Sequence, residues 1–211
     1  MRPPYRGSVP TVLVPSTRIE RWVLNFNGRH GQTALGVSDG ALTGAASDGS
    51  TFTARLPFAG EYDGLPDVAA FRLEALPPDR WGVLLVRKGG FAVARLAGTE
   101  MVEHKVGQRH VQGRTKAGGQ SQQRFSRRRD NQARQAFEAA ADHAARILGA
   151  SANTVLVTGG DRAAVDEVLA DSRLARLRVV EPWLPVPDPK RAVLDQAVAD
   201  AQAIRVDVDN A

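Results

Sequence analysis

Apolar residues recur at three- and four-residue spacing in two main stretches of the chain, which is the pattern of a helix with one buried face. The first stretch follows Ser16, a candidate N-cap, and ends near Asn27–Gly28; its apolar positions are Ile19, Trp22, Val23 and Phe26. The second begins after Phe125 and ends at Gly149; its apolar positions are Ala133, Ala136, Phe137, Ala140, Ala144, Ile147 and Leu148. The pattern predicts a helix in each stretch, the second of them long, and shorter helices at 67–76, 163–170 and 191–203.

Short apolar runs bounded by turn residues predict β-strands. Asp48-Gly49 separates two of these runs and Lys88-Gly89-Gly90 separates another two, and both are hairpin signals. The predicted strands cover residues 12–14, 33–37, 41–46, 51–56, 81–87, 91–96, 101–111, 154–157, 177–180 and 204–208. An antiparallel meander is thus followed by alternating helices and strands. This order predicts an α/β fold with a mixed sheet and helices packed against it.

A break in the pattern at Gly60–Pro66, rich in glycine, proline and acidic residues, divides the chain. It predicts an N-terminal subdomain of a helix and a hairpin at residues 1–60. The remainder, residues 61–211, is predicted to form a larger domain, with a glycine-bearing loop at 114–129.

The composition is that of a globular protein. The chain has 211 residues, of which 43% are hydrophobic, and no cysteine, so disulfides and thiolate metal sites are excluded and a reducing compartment is expected. No apolar run is long enough to span a bilayer, and MRPPYRGSVP lacks the apolar core of a signal peptide. These features predict a cytoplasmic protein with no membrane partner.

Positive charge is concentrated in one part of the chain. The formal net charge is +5, but residues 104–134 hold nine Lys and Arg and a single acid, Asp130, which gives this segment a local net charge of +8. A solvated helix face usually carries both signs of charge. A block of one sign is typical of a surface that binds nucleic acid.

The centre of this block reads RTKAGGQSQQRFSRRR, from Arg114 to Arg129. Glycines give the backbone freedom at positive φ and allow close approach to a target. Neither His, Asp nor Glu occurs in the stretch, so a conventional acid/base pair is not expected there. Two weaker signals lie outside it. Thr158-Gly159-Gly160-Asp161 is interpreted as a turn with Asp161 capping a helix, and His104 and His110 lack the further ligands of a metal site.

The motif Gly118-Gly119-Gln120-Ser121, followed by Arg124-Phe125, Arg127 and Arg129 and then a long helix, resembles that of the eukaryotic and archaeal class-I peptide release factors. The chain length and His104-Lys105 ahead of the loop are more similar to a shorter branch, the Vms-type release-factor-like proteins and their bacterial relatives. The resemblance implies an α/β domain that carries the motif and acts as a peptidyl-tRNA hydrolase.

Two glutamines compete for the catalytic role. The release-factor register, two glycines and a glutamine, selects Gln120. The Vms-type register is a glycine, two variable residues and a glutamine, and Gly119 and Gln122 satisfy it. We take Gln120 as the first hypothesis and keep Gln122 open; Gly118 and Gly119 complete the predicted catalytic set.

Water must attack the ester that joins the peptide to the tRNA 3′ end. A backbone N–H at a glycine turn can stabilise the oxyanion that develops, and a glutamine amide can position water without titrating. The neighbouring cations are predicted to hold RNA phosphates; they are Arg114, Lys116, Arg124, Arg127, Arg128 and Arg129, with Lys105 and Arg109 ahead of the loop.

The sequence therefore predicts codon-independent release of nascent chains from stalled ribosomes or large subunits, with the ribosome and peptidyl-tRNA as partners and with no cofactor or metal. The length of the chain is short for an added codon-reading domain. Two alternatives remain: a nuclease that cuts the tRNA near its 3′ end, and a ribosome- or RNA-binding protein without enzymatic activity.

Overall fold

The computed structural model describes residues 10–108, 121–149 and 154–211, and within the helix that begins at Ser121 it describes side chains from Arg134 onward. The chain divides into two units. The first consists of residues up to Pro77 together with Ala199–Ala211, and the second of Pro78–Val198. Each unit has its own five-stranded sheet.

The first unit is an antiparallel sheet with two helices. Its elements are β1 (Thr11–Val14), α1 (Ile19–His30), β2 (Thr33–Ser38), β3 (Ala41–Ala46), β4 (Thr51–Arg55), α2 (Val68–Glu74) and β10 (Ile204–Asp209). The strand order is β1-β10-β4-β3-β2, and every neighbouring pair is antiparallel. The last strand of the chain therefore lies in the middle of this sheet, between β1 and β4.

Helix α1 buries the face that its spacing predicts. Ile19, Val23 and Phe26 are buried and pack with β3, β4 and β10 residues such as Leu42, Phe52 and Val206. The predicted cap is wrong in detail, because Ser16 begins a 3-10 turn, Ser16–Arg18, without a side-chain cap. The helix also continues to His30 and ends at Gly31, whose φ is 89°.

The second unit carries a mixed sheet. Its elements are β5 (Trp81–Arg87), β6 (Gly90–Ala97), β7 (Glu100–Gln108), α3 (Ser121–Leu148), β8 (Val155–Gly160), α4 (Arg162–Leu169), β9 (Arg178–Leu184) and α5 (Arg191–Ala201), the last three residues of which belong to the first unit. The order is β7-β6-β5-β8-β9. The β5–β6–β7 part is antiparallel, and β8 and β9 join it in parallel. The prediction of a mixed α/β fold is confirmed.

The core of the second unit lies between the sheet and helices α3 and α4. Leu84, Val93 and Leu156 from the strands pack against α3 residues including Ala144 and Leu148. Residues 81–86 of β5 are all buried, as expected of a central strand that is covered on both faces. Each large aliphatic side chain buried here stabilises the fold by about 1.5–3 kcal/mol.

The unit boundary differs from the predicted one. The sequence placed a division at residue 60, whereas the tertiary packing divides the chain after Pro77 and returns residues 199–211 to the first unit. The reason is a long-range pairing, because β10 contacts β1 and β4, which are far away in the sequence. Local patterns do not report such pairings.

A glycine on β3 is required by packing. Gly44 lies opposite Phe52 across the β3–β4 pair, and a Cβ at Gly44 would come within 2.1 Å of the buried Phe52 ring. We expect Gly44→Ala to lower the free energy of unfolding by about 1–3 kcal/mol, because the buried ring cannot move aside without strain. Urea or guanidinium denaturation measures this.

The matched control is Gly28→Ala. Gly28 is exposed in α1, and a Cβ at that position would have nothing within 4 Å, so alanine should raise stability by up to about 1 kcal/mol through helix propensity. Equal effects of the two substitutions would contradict the packing argument.

The Asp171 carboxylate predicts a dependence of stability on pH. Hydrogen bonds from the Arg173 side chain and then from the Arg173 backbone N–H lower the pKa of Asp171 from 3.8 to about 2. A lowered pKa in the folded state stabilises the fold above the unfolded-state pKa, and this contribution is lost as the pH falls through the folded-state value. The stability difference between the wild type and Asp171→Asn should therefore be constant above a pH of about 5 and shrink between about 4 and about 2.

The same measurement in the Arg173→Gln background provides the control, since it removes the largest cause of the shift and keeps the backbone N–H. In that background the effect of Asp171→Asn should depend less on pH in this window. A wild-type-to-Asp171→Asn difference that stays constant down to low pH would contradict the assignment. Thermal unfolding across a pH series makes the comparison.

Candidate functional site

The motif stretch lies where α3 begins. Gly118, Gly119 and Gln120 immediately precede Ser121, the first residue of the helix, and they lie outside the described residues, as do Arg109, Arg114 and Lys116. Gln122 is the second residue of α3. Gln122 therefore has a helical backbone, whereas Gln120 lies outside the described residues.

The prediction of a loop over residues 114–129 is wrong for its second part. Residues 121–129 are helical, so Arg124, Arg127, Arg128 and Arg129 belong to the first turns of α3. Glutamine and arginine have high helix propensity, and neither glycine nor proline interrupts the stretch after Gly119. The repulsion between positive side chains and the helix dipole costs only some tenths of a kcal/mol each, which does not prevent the helix from forming.

The positions of these residues around the helix follow from about 100° per residue. Positions 124 and 128 fall on the side of α3 opposite to Ala144, position 127 falls on a flank, and positions 122 and 129 fall on the same side as Ala144. Ala144 is fully buried against the sheet. Of the four basic positions, 124 and 128 thus lie opposite the side of the helix that packs on the core.

The C-terminal half of α3 is held by its packing on the sheet. Its buried residues are Ala140, Ala141, Ala144, Ile147 and Leu148, and Phe137 is partly buried against the same cluster. The exposed positions in this half are polar or small, among them Arg134, Gln135 and Glu138. This amphipathic half is what the sequence pattern predicts.

Polar and aromatic contacts fix α3 against β6 and β7. Arg146 donates a hydrogen bond to Glu103 on β7, which also lies within 3.5 Å of Arg95 on β6. Arg146 is the main cause that lowers the pKa of the Glu103 carboxyl. His143 stacks on Phe91 with ring centroids 5.6 Å apart. Sequence reasoning missed Glu103, His143 and Arg146, because their pairing depends on how α3 packs on the sheet.

Burial of His143 matters for the charge around it. Its pKa is lowered first by burial and then by the nearby cations Lys105 and Arg146. The ring is therefore neutral at pH 7 and packs as an aromatic side chain. Lys105 itself is exposed on β7, as its predicted role in RNA binding requires.

These contacts set the direction of the helix. Arg146 lies near Glu103, and His143, nearer the start of α3, lies by Phe91, which pairs with Gly107 near the end of β7. The helix thus runs antiparallel to β7, and its first residues lie toward the carboxyl ends of β5, β7 and β8. Residues 121–136 take up about 24 Å at 1.5 Å per residue, so α3 continues well beyond the end of β7.

Active sites of α/β sheets lie outside the carboxyl ends of the strands. The start of α3 lies toward that edge. The topology thus brings the helical candidates, Gln122 and the four arginines, to one end of the unit. Lys105 lies on the strand that leads to the same end.

The two weaker signals have structural roles. The Asp161 carboxylate accepts a hydrogen bond from the Ala164 N–H and caps α4, and a Cβ at Gly159 would lie 2.3 Å from the Leu184 carbonyl oxygen. The predicted cap is confirmed, whereas the predicted turn is wrong for Thr158, Gly159 and Gly160, which belong to strand β8. His104 Nε2 lies 2.8 Å from Arg191 Nη1, and His110 lies outside the described residues. Within the described ranges, no group of three or more His, Asp and Glu side chains is arranged to hold a metal ion.

Among the helices of the described residues, none is both long enough and apolar enough to cross a membrane. Helix α3 has the required length, but its sequence is rich in arginine and glutamine.

Comparison with solved structures finds distant likenesses. The Vms1 mitochondrial localization core is 12% identical, with a TM-score of 0.40, over 90% of this chain and 80% of that one. Pelota from Archaeoglobus fulgidus, whose structure was described for its inter-domain plasticity, is 12% identical, with a TM-score of 0.27, over 91% of this chain and 64% of that one. A comparison with curated proteins gives no match. Membership of a family therefore depends on a family model alone.

That family model is described as the Actinobacteria/chloroflexi VLRF1 release factor, and it matches residues 79–207. The match covers more than half of the chain, from the start of β5 into β10, and includes the whole motif stretch. It confirms the resemblance to Vms-like release factors that the motif indicated. The chain belongs to the Actinobacteria/chloroflexi VLRF1 release factor family.

Proposed function

We propose that this protein is a codon-independent peptidyl-tRNA hydrolase that releases nascent chains from stalled ribosomes or large subunits. The observation that carries the proposal is the motif itself, Gly118-Gly119-Gln120-Ser121 at the start of α3, in a chain of a release factor family. The ribosome supplies the scaffold and peptidyl-tRNA is the substrate. No cofactor or metal takes part in the proposed reaction.

The reaction is ester hydrolysis. A water oxygen bonds to the carbonyl carbon of the last amino acid, and the bond from that carbon to the tRNA 3′ oxygen breaks. A proton from the water ends on the leaving oxygen, so the products are a free peptide and a tRNA with an intact 3′ hydroxyl. A backbone N–H of the glycine-containing segment stabilises the oxyanion, and Gln120 or Gln122 positions the water.

The shape of α3 supports this role. Its C-terminal half is held by the core and by the contact between Arg146 and Glu103, while about 24 Å of helix continues toward the motif. A reactive group at the end of a rigid rod can enter a narrow site that the body of the protein cannot reach. Holding the group in a fixed geometry is what lowers the entropic part of the barrier.

The arginines would orient this rod on RNA. Arg124 and Arg128 take positions on the side of α3 away from its buried stripe, and Arg127, Arg129, Arg114, Lys116, Lys105 and Arg109 add positive charge around the motif. Each phosphate that they neutralise releases counterions, so binding should weaken steeply with salt. Binding and chemistry are thus assigned to different residues.

The catalytic role is tested on purified complexes of peptidyl-tRNA with the large ribosomal subunit. We expect Gln120→Ala to reduce the single-turnover rate of release about 100-fold or more, the usual effect of removing one group that stabilises the transition state, while binding to the particle is kept. The same loss in Gln122→Ala instead of Gln120→Ala would select the other register. Gln135→Ala, in the exposed part of the same helix, is the matched control and should release at the wild-type rate.

Three results would exclude the proposal. If Gln120→Ala, Gln122→Ala and the double variant all released peptide at the normal rate, neither glutamine would take part in the reaction. A tRNA product that lacks an intact CCA end on a gel would indicate nuclease activity. If ribosome binding depended on the arginines but the wild type released no peptide, the protein would be a ribosome- or RNA-binding protein without enzymatic activity.

The phosphate contacts are tested by the dependence of ribosome binding on salt. Substitution of Arg124, Arg127 and Arg128 by glutamine should reduce the slope of log K against log salt by about one for each arginine that binds a phosphate. Arg176→Gln, an exposed arginine in the turn before β9, should leave the slope unchanged. An unchanged slope in the triple variant would contradict the assignment, and release at saturating protein should persist in it.

A further inference from the structure

The first unit contains an open cleft that the proposed hydrolysis does not use. Its volume is about 320 Å³, and it lies between α1 and the ends of β1 and β10. Trp22 and Phe26 form one wall, and Val12 and Val208 form the opposite side. The volume is within the range of small-molecule sites, which are mostly apolar with a few polar groups at the edge.

The aromatic wall is held in place by its neighbours. Trp22 stacks on Phe26 with centroids 5.6 Å apart and an interplanar angle of 18°, and Phe26 lies 4.6 Å from the His30 ring. Phe52 meets Trp22 and Phe26 edge-on, at 5.3 and 5.1 Å. Contacts on several sides leave these rings little freedom. Phe26 is buried, so the partly exposed Trp22 ring is the part of the wall that a ligand can reach.

His30 is oriented by a carboxylate. Its Nδ1 lies 2.9 Å from Asp48 Oδ2, and the Asp48 carboxylate also accepts the Ser50 N–H at 2.8 Å. The Ser50 N–H and then His30 lower the pKa of Asp48. The Asp48 carboxylate beside His30 is thus already occupied by two partners.

The edge of the cleft is positively charged. Arg18, Arg21, Asn25 and Arg29 recur at three- and four-residue spacing along α1, and all four are exposed. Within the described part of the chain none of these three arginines has an ion pair or a hydrogen-bonded side-chain partner, whereas Arg55 and Arg72 of the same unit pair with Asp207 and Glu20. Arg18 and Arg29 are separated by roughly 16 Å of helix.

Carboxylates are kept away from this edge. No Asp or Glu lines the cleft. On β10, Val206 is buried and Val208 lines the cleft, so the alternating residues Asp207 and Asp209 lie on the other face of the sheet. The cleft therefore combines the Trp22 ring, the Asn25 amide and the unpaired Arg29, with Arg21 and Arg18 further along α1 and no Asp or Glu among the described residues that line it.

We propose that this cleft binds an unpaired nucleotide, with the base against the partly exposed Trp22 ring and the phosphate on the arginines of α1. Bases in single-stranded RNA are recognised by stacking on aromatic rings and by hydrogen bonds to their edges. The Asn25 amide offers both a donor and an acceptor for a base edge. The arginines are spaced along enough helix to contact several successive phosphates.

The site is separate from the motif at the start of α3. It consists of residues of the first unit only, and it does not require the chain to be a hydrolase. The same chemistry could belong to a free nucleotide or to a nucleotide within an RNA strand. The experiment distinguishes these sources.

The test titrates the full chain with AMP and with single-stranded oligoribonucleotides of eight adenosines or eight uridines, and records tryptophan emission. Stacking on Trp22 should change the emission, and Trp22→Phe should lose that change, because neither of the other two tryptophans belongs to this site. Trp81 is buried, and Trp183 lies on β9 of the second unit. In parallel, binding of the same oligonucleotides is measured by fluorescence anisotropy. Trp22→Leu should weaken binding at this site by about 5- to 100-fold, the effect of losing one stacked base.

Surface variants keep the test valid if a Trp22 variant is unstable. Arg29→Gln should reduce the salt slope by about one, and Asn25→Glu should weaken binding by placing negative charge beside the phosphate. Arg205→Gln is the matched control, because it removes the same charge from an exposed position on the opposite face of β10. Arg127→Gln with Arg129→Gln, in α3, should leave the emission change intact.

If AMP changes the emission as strongly as the oligonucleotides do, the ligand of the cleft is a free nucleotide. If only the oligonucleotides change the emission, the ligand is a nucleotide within an RNA strand. The proposal is overturned if none of the probes changes the emission, if Arg29→Gln and Asn25→Glu respond like the wild type, or if Arg205→Gln has the same effect. A response to an acidic peptide, poly-glutamate, without one to nucleotides would overturn it as well. Because the glutamine variants test a different stretch, either proposal can fail without the other.

Discussion

The packing of the C-terminal half of α3 on the mixed sheet is the constraint on which the rest of the second unit depends. Ala140, Ala144 and Leu148 are buried against β5, β6 and β8. The small alanines let the helix lie close to the strands, and Arg146 joins it to Glu103 on the edge strand. With one half fixed in this way, the direction of the other half is decided. The start of α3 can then lie only toward the carboxyl ends of β5, β7 and β8.

The two halves of α3 follow opposite rules. The C-terminal half has an apolar stripe and neutral or mixed charges, as a helix selected for stability does. The N-terminal half carries Arg124, Arg127, Arg128 and Arg129 in its first turns, where acidic residues would suit the helix dipole better. The unfavourable charge is small in energy and is offset when an anion binds. This contrast supports a stable base and a functional extension within one helix.

The first unit has a comparable arrangement on a smaller scale. The buried side of α1 completes the core with Ile19, Val23 and Phe26, and its exposed side presents Arg18, Arg21 and Arg29 without partners among the described residues. Between the two lies the cleft with its aromatic wall. In both units one part of a helix stabilises the core and another part carries cations.

Much of this could be predicted from the sequence. Local patterns of residues can be read directly from the sequence. They predicted the amphipathic helices α1 and α3, the strands, the mixed α/β class and the family resemblance. The Asp161 cap is of the same kind. The sequence also limited the possible chemistry, because a stretch of glycine, glutamine and arginine without His, Asp or Glu contains no conventional acid/base pair.

The sequence by itself determined which segments are helices and strands, where the charge lies and which family the motif indicates. Only the tertiary structure decided that β10 joins β1 and β4, that Glu103 holds Arg146, and that Trp22, Phe26 and Val208 meet around a cleft. The physical reason is the same in each case. These contacts join residues distant in the sequence, and the free energy that selects them comes from burying surfaces together rather than from the conformational preference of any one segment.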